Sequence, residues 1–175
     1  MPFENFDFTD FWYDSDSDYV KALTYPPPTD EEISNAEKRL GYKLPESYIA
    51  LTKLKNGGIP NKTCHPTNEP TSWSEDHVAI TSIHGIHNIA EETEHAVDNW
   101  GYPAIGVVIC DCPSAGHDML FLDYRDCGPQ MEKGEPSVVH IDQECDYEIT
   151  FVADNFEGFI LGLVSDEEYD DEDDV

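Results

Sequence analysis

The chain has 175 residues, 39% hydrophobic and 11% aromatic, with nine Lys and Arg against 38 Asp and Glu, a net charge of −29. That length fits one domain, able to bury roughly 70% of its unfolded surface without requiring a metal or disulfide staple, and the apolar content excludes a wholly disordered acidic chain. The charge argues against nucleic acid and anionic membrane as partners, because both repel such a field, and favours a basic partner.

Residues 1–28 combine Phe3, Phe6, Phe8, Phe11, Trp12 and Tyr13 with six acids and close on Pro26-Pro27-Pro28. The prolines enforce an extended connection, so this segment is expected to be an acidic-aromatic arm whose rings pack on the adjoining domain. Asp14, Asp16 and Asp18 imitate the start of a calcium loop, but Tyr19 and Tyr25 stand where Gly and Glu are needed, so the match fails.

Thr29-Asp30-Glu31-Glu32 reads as a capping box, and Ile33, Ala36 and Leu40 fall on one stripe of the helix it opens. Gly41 stops that helix. A second helix opens at Leu44-Pro45, carries Tyr48 and Leu51, and ends at Asn56-Gly57-Gly58. The pair predicts a helical hairpin. Residues 59–77, polar and proline-bearing, predict a long loop, and Val78–Thr81 a short strand. His87–Asn99 is a weak helix, broken at Gly101-Tyr102-Pro103.

The second half reads β. Ala104–Cys110 is a continuous apolar run, hence a buried strand, and Met119–Tyr124, Ser137–Asp142 and Tyr147–Val152 come after it between turn clusters. Asp154–Val164 is a closing helix with Asp154 as its cap and Phe156, Phe159 and Leu163 on one face. Residues 165–175 carry eight acids and no base, and are expected to be disordered. Between the ends, residues 29–164 still hold 24 acids against eight bases. The order predicts an α+β domain over 29–164: a mainly antiparallel sheet of four to six strands, covered on one face by the helical hairpin and the C-terminal helix.

Five cysteines, an opening Met1-Pro2-Phe3-Glu4 without a basic-then-apolar pattern, and apolar runs of at most seven residues, against about 20 for a membrane span, predict a cytoplasmic chain with reduced thiols. Cys110 and Cys112, with His117, Cys127 and Cys145, suggest zinc, but the one-residue gap departs from the two-to-four-residue spacing of paired ligands, and small buried hydrophobes account for most of these residues. His84 and His87 would form a metal face with Glu91 only if helical, and Gly85 lies between them. No phosphate-binding loop is present, because Asn56–Pro60 comes after a helix and lacks the required Lys. No metal, cofactor or catalytic group is therefore expected. Exposed aromatics beside acids are the natural anchors for a basic partner: Trp73 with Glu75 and Asp76, Trp100 with Asp98, and Asp123 with Asp126. Trp73 and Trp100 fit the core equally well.

The ordered set Asp30-Glu31-Glu32-Ile33, Leu40-Gly41, Leu44-Pro45-Glu46-Ser47-Tyr48, Asn56-Gly57-Gly58, Tyr102–Gly106, Gly116-His117-Asp118 and Ala153–Phe159 resembles the SUKH superfamily, in its Smi/Knr-type branch, across roughly residues 29–164. The first 28 residues, the acidic tail and Cys110-Asp111-Cys112-Pro113 depart from the pattern. The resemblance implies a non-enzymatic immunity protein that neutralises a toxin, often a nuclease. The alternative is a regulator or scaffold of the cell-wall and stress-signalling type. It implies structural roles for Leu44, Pro45, Tyr48, Asn56, Gly57, Gly58, Gly116, Asp118, Phe156 and Phe159.

Overall fold

The computed structural model describes residues 1–169. Thr29 opens helix α2 (Asp30–Leu40) through the full capping box: its hydroxyl accepts from the Glu32 backbone N–H, and the Glu32 carboxylate returns to the Thr29 N–H. Gly41, at φ 81°, ends it. Helix α3 (Glu46–Leu54) begins directly after Pro45, which supplies extended backbone and no donor. Ahead of these, the first residues form an edge-to-face row of Phe3, Phe6, Phe8, Phe11 and Trp12 and a short helix α1 (Asp18–Ala22). Phe3 is buried in the main core, its N–H donating to Glu157 at 2.7 Å.

The 59–77 segment is not loop throughout. Strand β1 (Cys64–Pro66) pairs with β2 (His77–Ala79), antiparallel, on either side of residues 67–76. These strands are three residues long and one contains proline, so alternation has too little length in which to register. Strand β3 (Ser82–Ile83) and helix α4 (Ile86–Trp100) come next, then β4 (Gly106–Asp111), β5 (Asp118–Asp123), β6 (Ser137–Asp142), β7 (Glu148–Ala153) and helix α5 (Phe156–Leu161). Asn155, not Asp154, caps α5, accepting from Gly158 N at 2.7 Å.

Five antiparallel strands in the order β3-β4-β5-β6-β7 make the main sheet of an α+β fold. Alternation sends Val107, Ile109, Leu120, Leu122, Val138 and Val152 to one face, where they meet Ile33, Tyr48, Leu51, Ile89, Phe156 and Phe159. Each large apolar side chain buried there contributes about 1.5–3 kcal/mol. The opposite face is not bare, although cover was expected on one face alone. Val108, Met119, Phe121, Val139 and Ile141 meet Ala96 and Tyr102 there in a second cluster, with Trp100 and Tyr147 at its margin. The two N-terminal helices find separate partners, α2 against α4 and α3 against α5. Of the expected disordered tail, Asp166–Tyr169 forms a 3-10 turn and Tyr169 stacks on His77 with ring centroids 3.7 Å apart. Residues 170–175 lie outside the described part.

Candidate functional site

Strand β5 spans from Asp118 to Asp123, roughly 17 Å at 3.3 Å per residue, and the expected partner residues divide between its two ends. At the Asp118 end, residues 67–76 and the loops β4–β5 and β6–β7 converge. Ser72 donates to Asp142, Gln143 N–H donates to His117 O at 2.9 Å, and Gln143 Nε2 donates to Trp100 O at 3.1 Å. Trp73 stands here with 53% of its surface exposed, in the same loop as exposed Glu75 and an exposed Asp76 that pairs with His77 at 2.8 Å. That bond to His77 holds the Asp76 carboxyl below its ordinary range. Trp100 is half-buried, with its ring over Gly116, where an added Cβ would lie 2.6 Å from the indole and φ is already +100°. Asp98 is exposed on the last turn of α4.

Asp123 belongs to the other end and is no exposed anchor. It is buried, and Arg125 grips it with Nε at 3.0 Å from Oδ1 and Nη2 at 2.8 Å from Oδ2. Asp126 beside it is exposed. The expected set is thus two groups, and only the Trp73 group combines an exposed aromatic with exposed acids.

Beneath the 67–76 loop lies a buried polar cluster. His140 is 1% exposed, and its Nε2 lies 2.7 Å from Asp118 Oδ2. Asp118 is 5% exposed; its second oxygen accepts from Ser114 Oγ, which also accepts from the Asp118 N–H at 3.0 Å. Cys112, also buried, joins Asp118 and His140 with one donor atom of each lying within 4.8 Å of the others. Burial, and then the neighbouring Asp118 charge, push the Cys112 thiol well above its ordinary range, so it stands protonated. His140 Nδ1 has no hydrogen-bond partner, a deficit of about 1–3 kcal/mol for a buried polar atom. A cavity of about 240 Å³ opens beside the pair, lined by Thr71, Trp73, Val78, Pro113, Asp118 and His140.

A second cleft of about 370 Å³ lies across Pro113, between Trp100, Asp111, Glu92 and Tyr19. His84 is buried by the fold behind Asp111 rather than placed on a helix with His87: its Nε2 lies 3.1 Å from Asp111, and its carbonyl accepts from Tyr48 at 2.6 Å. His87 instead faces Glu32 at 3.1 Å and stacks on Tyr25. Cys110 and Cys127 are buried in the apolar core, as small hydrophobes.

Charge is displayed outward. Among the described residues the only buried carboxylates are Asp118, Asp123 and Asp142. Lys or Arg ion pairs engage Asp16, Glu94, Asp30 and Asp123. No Lys or Arg occurs between Lys62 and Arg125 or after Lys133, so the Trp73 loop with Glu69, Glu75 and Asp76, and the β6–β7 turn with Glu144 and Asp146, carry no Lys or Arg. No helix among the described residues is long and apolar enough to cross a membrane.

Sequence reasoning missed the Cys112–Asp118–His140 convergence because it weighed cysteine pairs. The available signal was His140, a polar residue inside the apolar run Val138-Val139-His140-Ile141. Among known families, the family model SUKH_6, described as SMI1-KNR4 cell-wall, matches residues 30–160. No curated protein matches the chain.

Proposed function

The chain belongs to the SMI1-KNR4 cell-wall family of the SUKH superfamily, and from that membership we propose that it is an immunity-type protein that binds and blocks a basic toxin domain, catalysing no reaction. The observation that carries this reading is the Trp73 end of the sheet: an exposed indole in a loop bearing Glu69, Glu75 and Asp76, tied through Ser72 to Asp142 at the head of the turn that bears Glu144 and Asp146, with no Lys or Arg in either segment. A nuclease toxin has a basic active site because it must hold phosphates. An acidic surface fits such a site as a phosphate mimic, and long-range attraction accelerates encounter by about 10 to 10³-fold at low salt. Trp73 supplies the desolvated anchor that charge alone does not.

The test is titration of this protein into a toxin domain encoded beside its gene, with nuclease turnover as the readout. Activity falls to background at one equivalent. Inhibition weakens as salt is raised, and Trp73→Ala, whose side chain is mostly in solvent, raises Kd at least tenfold, about 1.4 kcal/mol, without lowering Tm. Full nuclease activity in the presence of excess protein, at low and high salt alike, would refute the reading.

A second reading, a cytoplasmic regulator or scaffold of cell-wall or stress signalling, is favoured by the description of the matching family model. It uses the same surface on an endogenous partner. A toxin gene adjoining this one supports the first reading, and its absence the second.

A further inference from the structure

Cys112, Asp118 and His140 come from three positions in the fold, the β4–β5 loop, the start of β5 and the middle of β6, and the sheet register brings them together under residues 67–76. All three are buried. Nothing in toxin binding uses them, and each would cost the fold less as an apolar residue. One thiol, one carboxylate and one imidazole form a borderline-soft donor set of the kind zinc takes. Tetrahedral zinc at 2.0–2.3 Å from its ligands needs donors roughly 3.3–3.7 Å apart. Here they lie within 4.8 Å of one another, and the His140–Asp118 pair, now hydrogen-bonded at 2.7 Å, opens slightly as the metal replaces that bond while Cys112 draws in.

Two further features support a cation. His140 is buried with the Asp118 carboxylate, at Nε2, as its hydrogen-bond partner, and its Nδ1 has none, so the ring is under-satisfied where it stands. Ser114 fixes one oxygen of Asp118 while the other faces His140, the arrangement by which an outer hydrogen bond orients a ligating carboxylate. We infer that Cys112, Asp118 and His140 form a zinc site with one donor atom each, its fourth position open to the cavity beside Trp73. Binding displaces the Cys112 thiol proton as the sulfur ligates, so zinc uptake releases acid. The site lies behind the proposed partner surface and stands whether or not that surface binds a toxin. With three protein ligands and an open fourth position it resembles reactive zinc centres more than closed structural ones.

The experiment uses the full chain, reduced and stripped with a chelator. Zinc is titrated in competition with a chromophoric chelator, and cobalt(II) replaces it for spectroscopy. One equivalent binds, cobalt gives a thiolate charge-transfer band with tetrahedral d–d absorption, and zinc raises Tm where calcium does not. Cys112→Ser removes the charge-transfer band, and Ser114→Ala weakens affinity about 10–100-fold. Cys145→Ser changes neither. A band that survives Cys112→Ser, no saturation at one equivalent, or equal Tm shifts from zinc and calcium would overturn the site as general carboxylate binding. The cobalt spectrum and the Tm comparison need only the unmodified chain, so a variant that fails to fold does not shelter the inference.

Discussion

Asn56 is completely buried, and its side chain joins three segments that are remote in sequence. Its Oδ1 accepts from Ile86 N at 2.8 Å, and its Nδ2 donates to Pro26 O at 3.0 Å while lying 3.0 Å from His87 Nδ1. Helix α4 has Gly85 at its N-cap and no capping side chain of its own, so Asn56 performs that service from thirty residues away. Asn56→Ala strands a buried amide N–H and a carbonyl and should cost about 3 kcal/mol or more in urea unfolding. Asn56→Asp keeps the acceptor for Ile86 and loses the donors, so it should fall between. A cost for alanine below about 1 kcal/mol would mean that neighbouring groups or water replace the amide. The sequence Asn56-Gly57-Gly58 announces a helix end, and Gly57 meets that expectation at φ +92° with Leu23 O pressed against it. The reach to Ile86 leaves no local trace, because capping patterns are read within four residues.

Between elements, one hydroxyl supplies a hydrogen bond from α4 to β4 across an otherwise apolar seam. Strand β3 pairs with β4 only at Cys110 and Asp111, so the buried Val108 N–H has no strand partner on that side. Thr93, in mid-helix, accepts it at 3.0 Å while donating to Ile89 O at 2.7 Å. Thr93→Val preserves shape and removes the acceptor, and should lower stability by about 1–3 kcal/mol, with amide exchange at Val108 accelerated ahead of its neighbours. Unchanged exchange there would contradict the assignment. The elements that were legible carry their signals internally: the capping box for α2, and apolar runs bounded by turn clusters for β4 and β5. The second apolar cluster and the Cys112–Asp118–His140 group were not, because each exists only once distant segments meet; of the β1–β2 pair only the second strand was expected, because β1 is three residues long and ends in proline.

For the whole molecule, surplus carboxylates repel one another across the surface, and that repulsion opposes compactness. Raising NaCl from about 0.01 M to about 1 M shortens the screening length from about 30 Å to about 3 Å, so Tm should climb. A flat Tm would show that the charges are too dispersed to matter. Alkaline pH works in the opposite direction. Burial raises the Cys110 and Cys112 thiols above their unfolded values, as it does the hydroxyls of Tyr48, Tyr102 and Tyr124. A raised folded pKa gives stability that is complete below the unfolded value and fades above it. The urea midpoint should therefore decline from about pH 8.5, where unfolded thiols ionise, and more steeply past about 10, where unfolded tyrosines do. Cys110→Ala should flatten the first part of that decline. A midpoint that holds steady to about pH 10.5 would contradict the burial of these groups.

The contact of Phe3 with Glu157 gives biosynthesis a particular order. Phe3 leaves the ribosome well before Glu157, and the bond between them forms only after more than a hundred and fifty further residues have been joined. Until then the row is held at its other end, where Phe11 and Tyr13 bond to Asn61 and Ile59. Native closure is therefore a late event, held back by translation itself.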